Sequence, residues 1–158
     1  MFRALKAARS MAEGNIKKQY ERIWDYTDEQ TTSNEGSTVK INCIHAPYSQ
    51  PIFQRIYVCL DACKKGFKAG CRPLISLEGC FLKGYYGGYL LCVVGQDVNN
   101  EIFPIAYVVM DVEDKENWKW FLTLLHQDLG DYSQLGWNFM SDIPKINFSL
   151  NDLACIYA

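Results

Sequence analysis

The run PLISLEGCFLKGYYGG, Pro73 to Gly88, constrains this chain more than any other segment. It reads as a β-strand over Leu74–Leu82 closed by a glycine-rich turn, Gly84 to Gly88. One carboxylate, Glu78, stands among apolar neighbours, and the run as a whole predicts a buried strand. A charge inside a sheet is costly unless something pairs with it. A hard metal ion is the expected partner for an acid so placed. Asp142, closing GWNFMSD, has the same look at the end of a second short apolar run. An exposed acid on a half-buried strand is the plainer reading of Glu78, and a cap after a strand is the plainer reading of Asp142.

Two further strands follow directly. Tyr89–Gln96 is continuously apolar, as a central strand would be. Val98 to Glu101 forms a turn whose two Asn suit left-handed backbone, and Ile102–Val112 is the third strand. Asp114 predicts a helix N-cap. The helix from Asn117 to Gly130 buries Trp118, Phe121, Leu122, Leu125 and Leu129 as one stripe. Trp137–Ser141 reads as a fourth strand. Upstream, residues 8–29 are expected to be helical, with Tyr20, Ile23, Trp24 and Thr27 on one face. Val39, Ile41 and Cys43 predict a short strand. Helical spacing through Ile56, Tyr57, Leu60, Cys63 and Phe67 predicts one helix from Phe53 to Gly70.

At 158 residues, 49% hydrophobic and 22% charged, the chain suits one domain with a real core. The net charge of −2 hides an asymmetry: residues 1–72 hold 12 Lys/Arg against 7 Asp/Glu, and residues 73–158 hold 4 against 11. The acidic half would repel phosphate unless cations intervene, which argues against a strong free-standing DNA binder. Lys64, Lys65, Lys68 and Arg72 are expected to form a solvated basic face, with phosphate contact as the alternative. Asp97 reads as a turn residue, or else as a group near the metals. The seven cysteines are odd in number and contain no CxxC pair. Disulfides and a zinc cluster are therefore not expected, and Cys80 and Cys92 read as small core residues. No apolar run is long enough to span a membrane. Arg3, Lys6 and Arg9 weakly suggest a transit peptide, but an ordinary basic helix start is preferred.

Three antiparallel strands, a crossover helix and a fourth strand predict an α/β, ribonuclease H-like fold. It is expected to be incomplete at the C-terminus and to carry an N-terminal helical extension. In such a fold an acid on the first strand and one at the end of the fourth come side by side and can hold Mg²⁺. The blocks PLISLEGCFLKGYYGGYLL, GQDVNNEIFPIAYVV, ENWKWFLTLLHQDLG and GWNFMSD are similar to the transposase domain of plant Mutator-like elements (MULE). The similarity spans roughly residues 10–145 and is strongest over 53–142.

The resemblance implies a catalytic set of two Asp and one Glu, with Glu78 and Asp142 at the first two positions. It further implies Mg²⁺, DNA terminal inverted repeats as partner and a nuclear location. Expected boundaries are 1–52 for the extension, 53–145 for the partial transposase domain and 146–158 for a divergent tail. Glu78 stands where the family has Asp. A ligand displaced by about 1 Å can cost roughly 10²-fold in rate. No residue takes the third acid, since Asp152 lies too close to Asp142. The expectation is a transposase fragment without catalytic activity. The alternative is a non-catalytic interaction module that binds full-length transposase or itself.

Overall fold

The computed structural model describes residues 20–45, 47–84, 86–131 and 136–141, together with positions 3–5, 7, 11, 14 and 18. Its centre is a six-stranded mixed sheet: β1 (Thr38–Ile44), β2 (Ile52–Cys59), β3 (Cys71–Phe81), β4 (Tyr89–Asp97), β5 (Ile102–Met110) and β6 (Asn138–Ser141). The strand order is β1-β2-β5-β4-β3-β6. All pairings are antiparallel except β3 with β6. Among the described residues three helices flank the sheet: α1 (Ile23–Ser33), α2 (Asp61–Gly70) and α3 (Lys115–Leu129).

One face of the sheet carries the main core. Ile75 and Leu77 of β3, Leu91 and Val93 of β4 and Val108 of β5 are buried there against α2 and α3. The α3 stripe predicted from sequence is buried at every position. Its first turn is capped by Asp114, whose Oδ1 accepts from the Asn117 amide at 2.8 Å. Gly95 leaves room for Phe67 of α2, because a Cβ there would lie 2.8 Å from the ring. On the opposite face a smaller core of Val39, Ile56 and Val58 packs with Ile23 of α1. There Tyr26 and Tyr107 share a hydroxyl hydrogen bond of 2.7 Å.

The single helix expected over 53–70 is instead a strand followed by a helix. Arg55 through Cys59 are buried on both faces of β2, which lies between β1 and β5. A strand covered on both sides loses the alternation that marks strands, and its apolar run mimics helical spacing. Helix α1 reaches Ser33, beyond the expected end at residue 29. Most of the predicted helix before Tyr20 lies outside the described residues. Pro104 is tolerated in an interior strand because β2 pairs only with Tyr107–Met110 of β5.

Candidate functional site

Strand β3 alternates, with Ile75 and Leu77 directed into the core and Ser76, Glu78 and Cys80 on the other face. Glu78 is exposed. The expectation of a buried carboxylate in need of a partner is therefore corrected. At an exposed position water solvates its charge. Its cross-strand partner on β4 is Cys92, and Cys80 pairs with Leu90 two residues on. Burial, then the neighbouring Cys80 and the Glu78 charge, push the Cys92 thiol up. Cys80 is exposed and Cys92 half-buried, so neither is the core residue that composition suggested.

The parallel ladder between β3 and β6 runs from Leu74 opposite Asn138 to Leu77 opposite Ser141. Glu78 is the next residue on β3, and Asp142 is the next residue in the sequence after β6. Asp142 itself lies outside the described residues, as does the tail 146–158. Among the described residues no group of three or more His, Cys, Asp or Glu could hold a metal ion. Glu78 alone does not make a Mg²⁺ site. Asp97 belongs to the β4–β5 turn, where its Oδ1 accepts from the amides of Asn99 and Glu101, each at 2.8 Å. It pairs with Cys71 at the far end of β3 from Glu78.

Two polar clusters escaped the sequence reading. Asp128, near the end of α3, is 8% exposed and faces Lys64, which is 12% exposed. Its Oδ1 accepts from Thr38 Oγ1 at 2.6 Å and from Lys64 Nζ at 3.0 Å, and its Oδ2 accepts from the Tyr57 hydroxyl at 2.7 Å. Burial, then the charges of Cys59 and Asp128, hold the Tyr57 phenol far above its ordinary range. Burial and Asp128 push the Cys59 thiol up to about 12. The signal was available: Asp128 falls three residues after Leu125, on the apolar stripe of α3. The second cluster centres on Arg55. Its Nη1 donates to Asn117 Oδ1 at 2.7 Å, Nη2 lies 3.7 Å from Glu116, and the guanidinium stacks 4.7 Å above Trp120.

Three residues of the basic run, Lys65, Lys68 and Arg72, are exposed as expected of a solvated face, whereas Lys64 is mostly buried. Lys64 is in the Asp128 pair, Lys68 donates to the Asp128 carbonyl at 3.1 Å, Lys65 pairs with Asp61, and Arg72 donates to the Val98 carbonyl at 3.4 Å. Among the described residues no helix is long and apolar enough to cross a membrane.

No curated protein and no solved structure matches the chain. Residues 74–135 match the family model described as MULE transposase domain. That stretch begins in β3, takes in β4 and β5, and runs past the end of α3. Over that stretch the chain is similar to the transposase domain of Mutator-like elements.

Proposed function

We propose that the chain is a transposase-related protein that acts at DNA in the nucleus, and that β3 and β6 form the metal-binding part of a ribonuclease H-like site. The observation that carries this reading is the parallel β3–β6 ladder, whose last described pair is Leu77 opposite Ser141. Extending that register by one residue would set Asp142 beside Glu78. The order β5-β4-β3-β6, with α3 crossing from β5 to β6, supports the same fold. In this reading Glu78 and Asp142 hold Mg²⁺, which when bound polarises a phosphoryl oxygen and supplies an activated water. Glu78 is exposed, which leaves its carboxylate accessible to a phosphodiester backbone.

The 158-residue polypeptide is further proposed to bind the ion weakly and not to complete strand cleavage. Glu78 is one methylene longer than the Asp that the family resemblance implies at that position. The test is Mn²⁺ or Mg²⁺ titration by calorimetry and NMR line broadening, alongside plasmid nicking on terminal-repeat DNA. Binding that weakens in both Glu78→Gln and Asp142→Ala, with nicking at background, is the expected result. Metal binding indifferent to both substitutions removes the site. Robust nicking abolished by Asp142→Ala removes the claim of inactivity. The exposed apolar side chains of Phe81 on β3 and Met140 on β6 favour a second reading, a non-catalytic module that docks on a full-length transposase. Metal-independent co-purification with that protein supports it.

A further inference from the structure

The strand register lays one row of side chains across the face opposite the main core. Val58 of β2 pairs with Tyr107 of β5, Tyr107 with Cys92 of β4, and Cys92 with Glu78 of β3. Cross-strand partners stand on one face, and Tyr107 packs against Val58 in the smaller core there. Tyr107 and Glu78 are two strands apart, about 10 Å between backbones. Tyr26 of α1 meets the same row, its hydroxyl 2.7 Å from that of Tyr107. The two hydroxyls carry two protons, and the bond between them uses one, which leaves the second for a further acceptor. Tyr26 is 41% exposed, so the pair is open to solvent. Burial, then the bond to Tyr26, hold the Tyr107 phenol above its ordinary range, so it stays a protonated donor at neutral pH.

We propose that the Tyr26–Tyr107 hydroxyl pair, together with Arg22, holds a phosphate of the nucleic-acid backbone beside Glu78. The inference rests on the reading of Glu78 as a metal carboxylate acting at DNA, and it names the side chains that position the backbone there. Arg22 lies one helical turn before Tyr26, on the same side of α1. Its side chain is 79% exposed, and its 3.5 Å pair with the equally exposed Asp25 holds it weakly. Tyrosine hydroxyls and arginine are donors that phosphate oxygens accept from. At about 3.4 Å per nucleotide, a strand that reaches Glu78 passes the hydroxyls within about three nucleotides. The acids on this side of the protein are Glu78 and Glu29, the latter accepting from Ser33 Oγ at 2.6 Å. Their charge opposes an anion, so phosphate binding here calls for a divalent cation at Glu78.

The experiment is fluorescence anisotropy of a labelled duplex oligonucleotide with the full chain in Mg²⁺, across a range of salt concentrations. The variants are Tyr26→Phe, Tyr107→Phe and Arg22→Gln. Each Phe variant is expected to bind about tenfold more weakly with an unchanged salt slope, because a neutral donor is lost. Arg22→Gln is expected to lower the slope by about one. Mn²⁺ affinity, read by NMR line broadening, should be the same in all three, which separates holding the backbone from holding the metal. Amide exchange at Ile23 and Thr27 should also be the same, since a loosened α1 would weaken binding indirectly. Equal duplex affinity in the unmodified chain and both Phe variants overturns the proposal and leaves the metal reading standing. Affinity lost together with protection at Ile23 and Thr27 also overturns it, and makes the pair a fastener for α1. An unmodified chain that binds Mn²⁺ but no duplex in Mg²⁺ overturns it along with action at DNA. Duplex binding that depends on both hydroxyls in a chain that binds no Mn²⁺ removes the metal reading and keeps the phosphate contact.

Discussion

Asp128 is a largely buried carboxylate that accepts three side-chain hydrogen bonds. It gathers Thr38 of β1, Tyr57 of β2 and Lys64 of α2 onto the end of α3. A buried ion pair adds little net stability, but removing one member leaves an uncompensated charge and costs about 3–5 kcal/mol. Asp128→Asn is therefore expected to lower the unfolding free energy by about 3 kcal/mol in urea denaturation, with α2 and α3 losing protection first. The same cluster sets a pH limit. Tyr57 and Cys59 both hold their protons more tightly folded than unfolded, so their contribution is complete below the unfolded values of 10.0 and 9.0. The folded state binds more protons above those values, and stability falls as pH rises, by roughly 1.4 kcal/mol per pH unit for each group engaged. Urea midpoints measured from pH 7 to 11 should stay level and then decline from about pH 9, where Cys59 begins to titrate in the unfolded chain. Tyr57→Phe should flatten the part of that decline above pH 10 and leave the Cys59 part.

At the level of elements, local chemistry decided what could be read in advance. Helix α3 was legible because its stripe, its Asp114 cap and its Gly130 terminus agree. The β4–β5 hairpin was legible because Asn100 takes the left-handed backbone such a turn needs, at φ 68°. Strand β2 was not, because cover on both faces erases its period. The exposure of Glu78 was not legible either. Alternation along β3 shows that Glu78 and Leu77 face opposite ways, but which face receives a helix is decided by elements distant in sequence. Gly88 gives this scale its own test. It has φ 96°, and a Cβ there would lie 2.6 Å from the Met110 carbonyl oxygen, a backbone atom that cannot rotate away. Gly88→Ala should cost about 1–3 kcal/mol and disturb the β3–β4 connection. Thermal unfolding and the amide shifts of Tyr89 and Leu90 are the readouts. Asp114→Ala should cost about 1 kcal/mol with the sheet intact, since only a cap is lost.

At the scale of the whole molecule, the family match covers residues 74–135, yet the structure holding that stretch together begins well before it. Strand β2 is the neighbour of β5, and without it β5 becomes an exposed edge carrying Tyr107 to Met110. Helix α2 supplies Phe67, which fills the space over Gly95, and Lys64, which neutralises Asp128. Strand β1 supplies Thr38 to the same carboxylate and closes the smaller core through Val39. A polypeptide of residues 71–158 would retain the matched sequence but lose two strands, two helices and every side-chain partner seen at Asp128. It is expected to be collapsed or aggregated, with no cooperative thermal transition. A polypeptide of residues 20–158 keeps α1, both early strands and α2, and it should unfold cooperatively within a few degrees of the full chain. Circular dichroism melts and hydrogen exchange on the two distinguish the cases. A folded, protected 71–158 would mean that the β1–β2 layer is an appendage and not part of the folding unit.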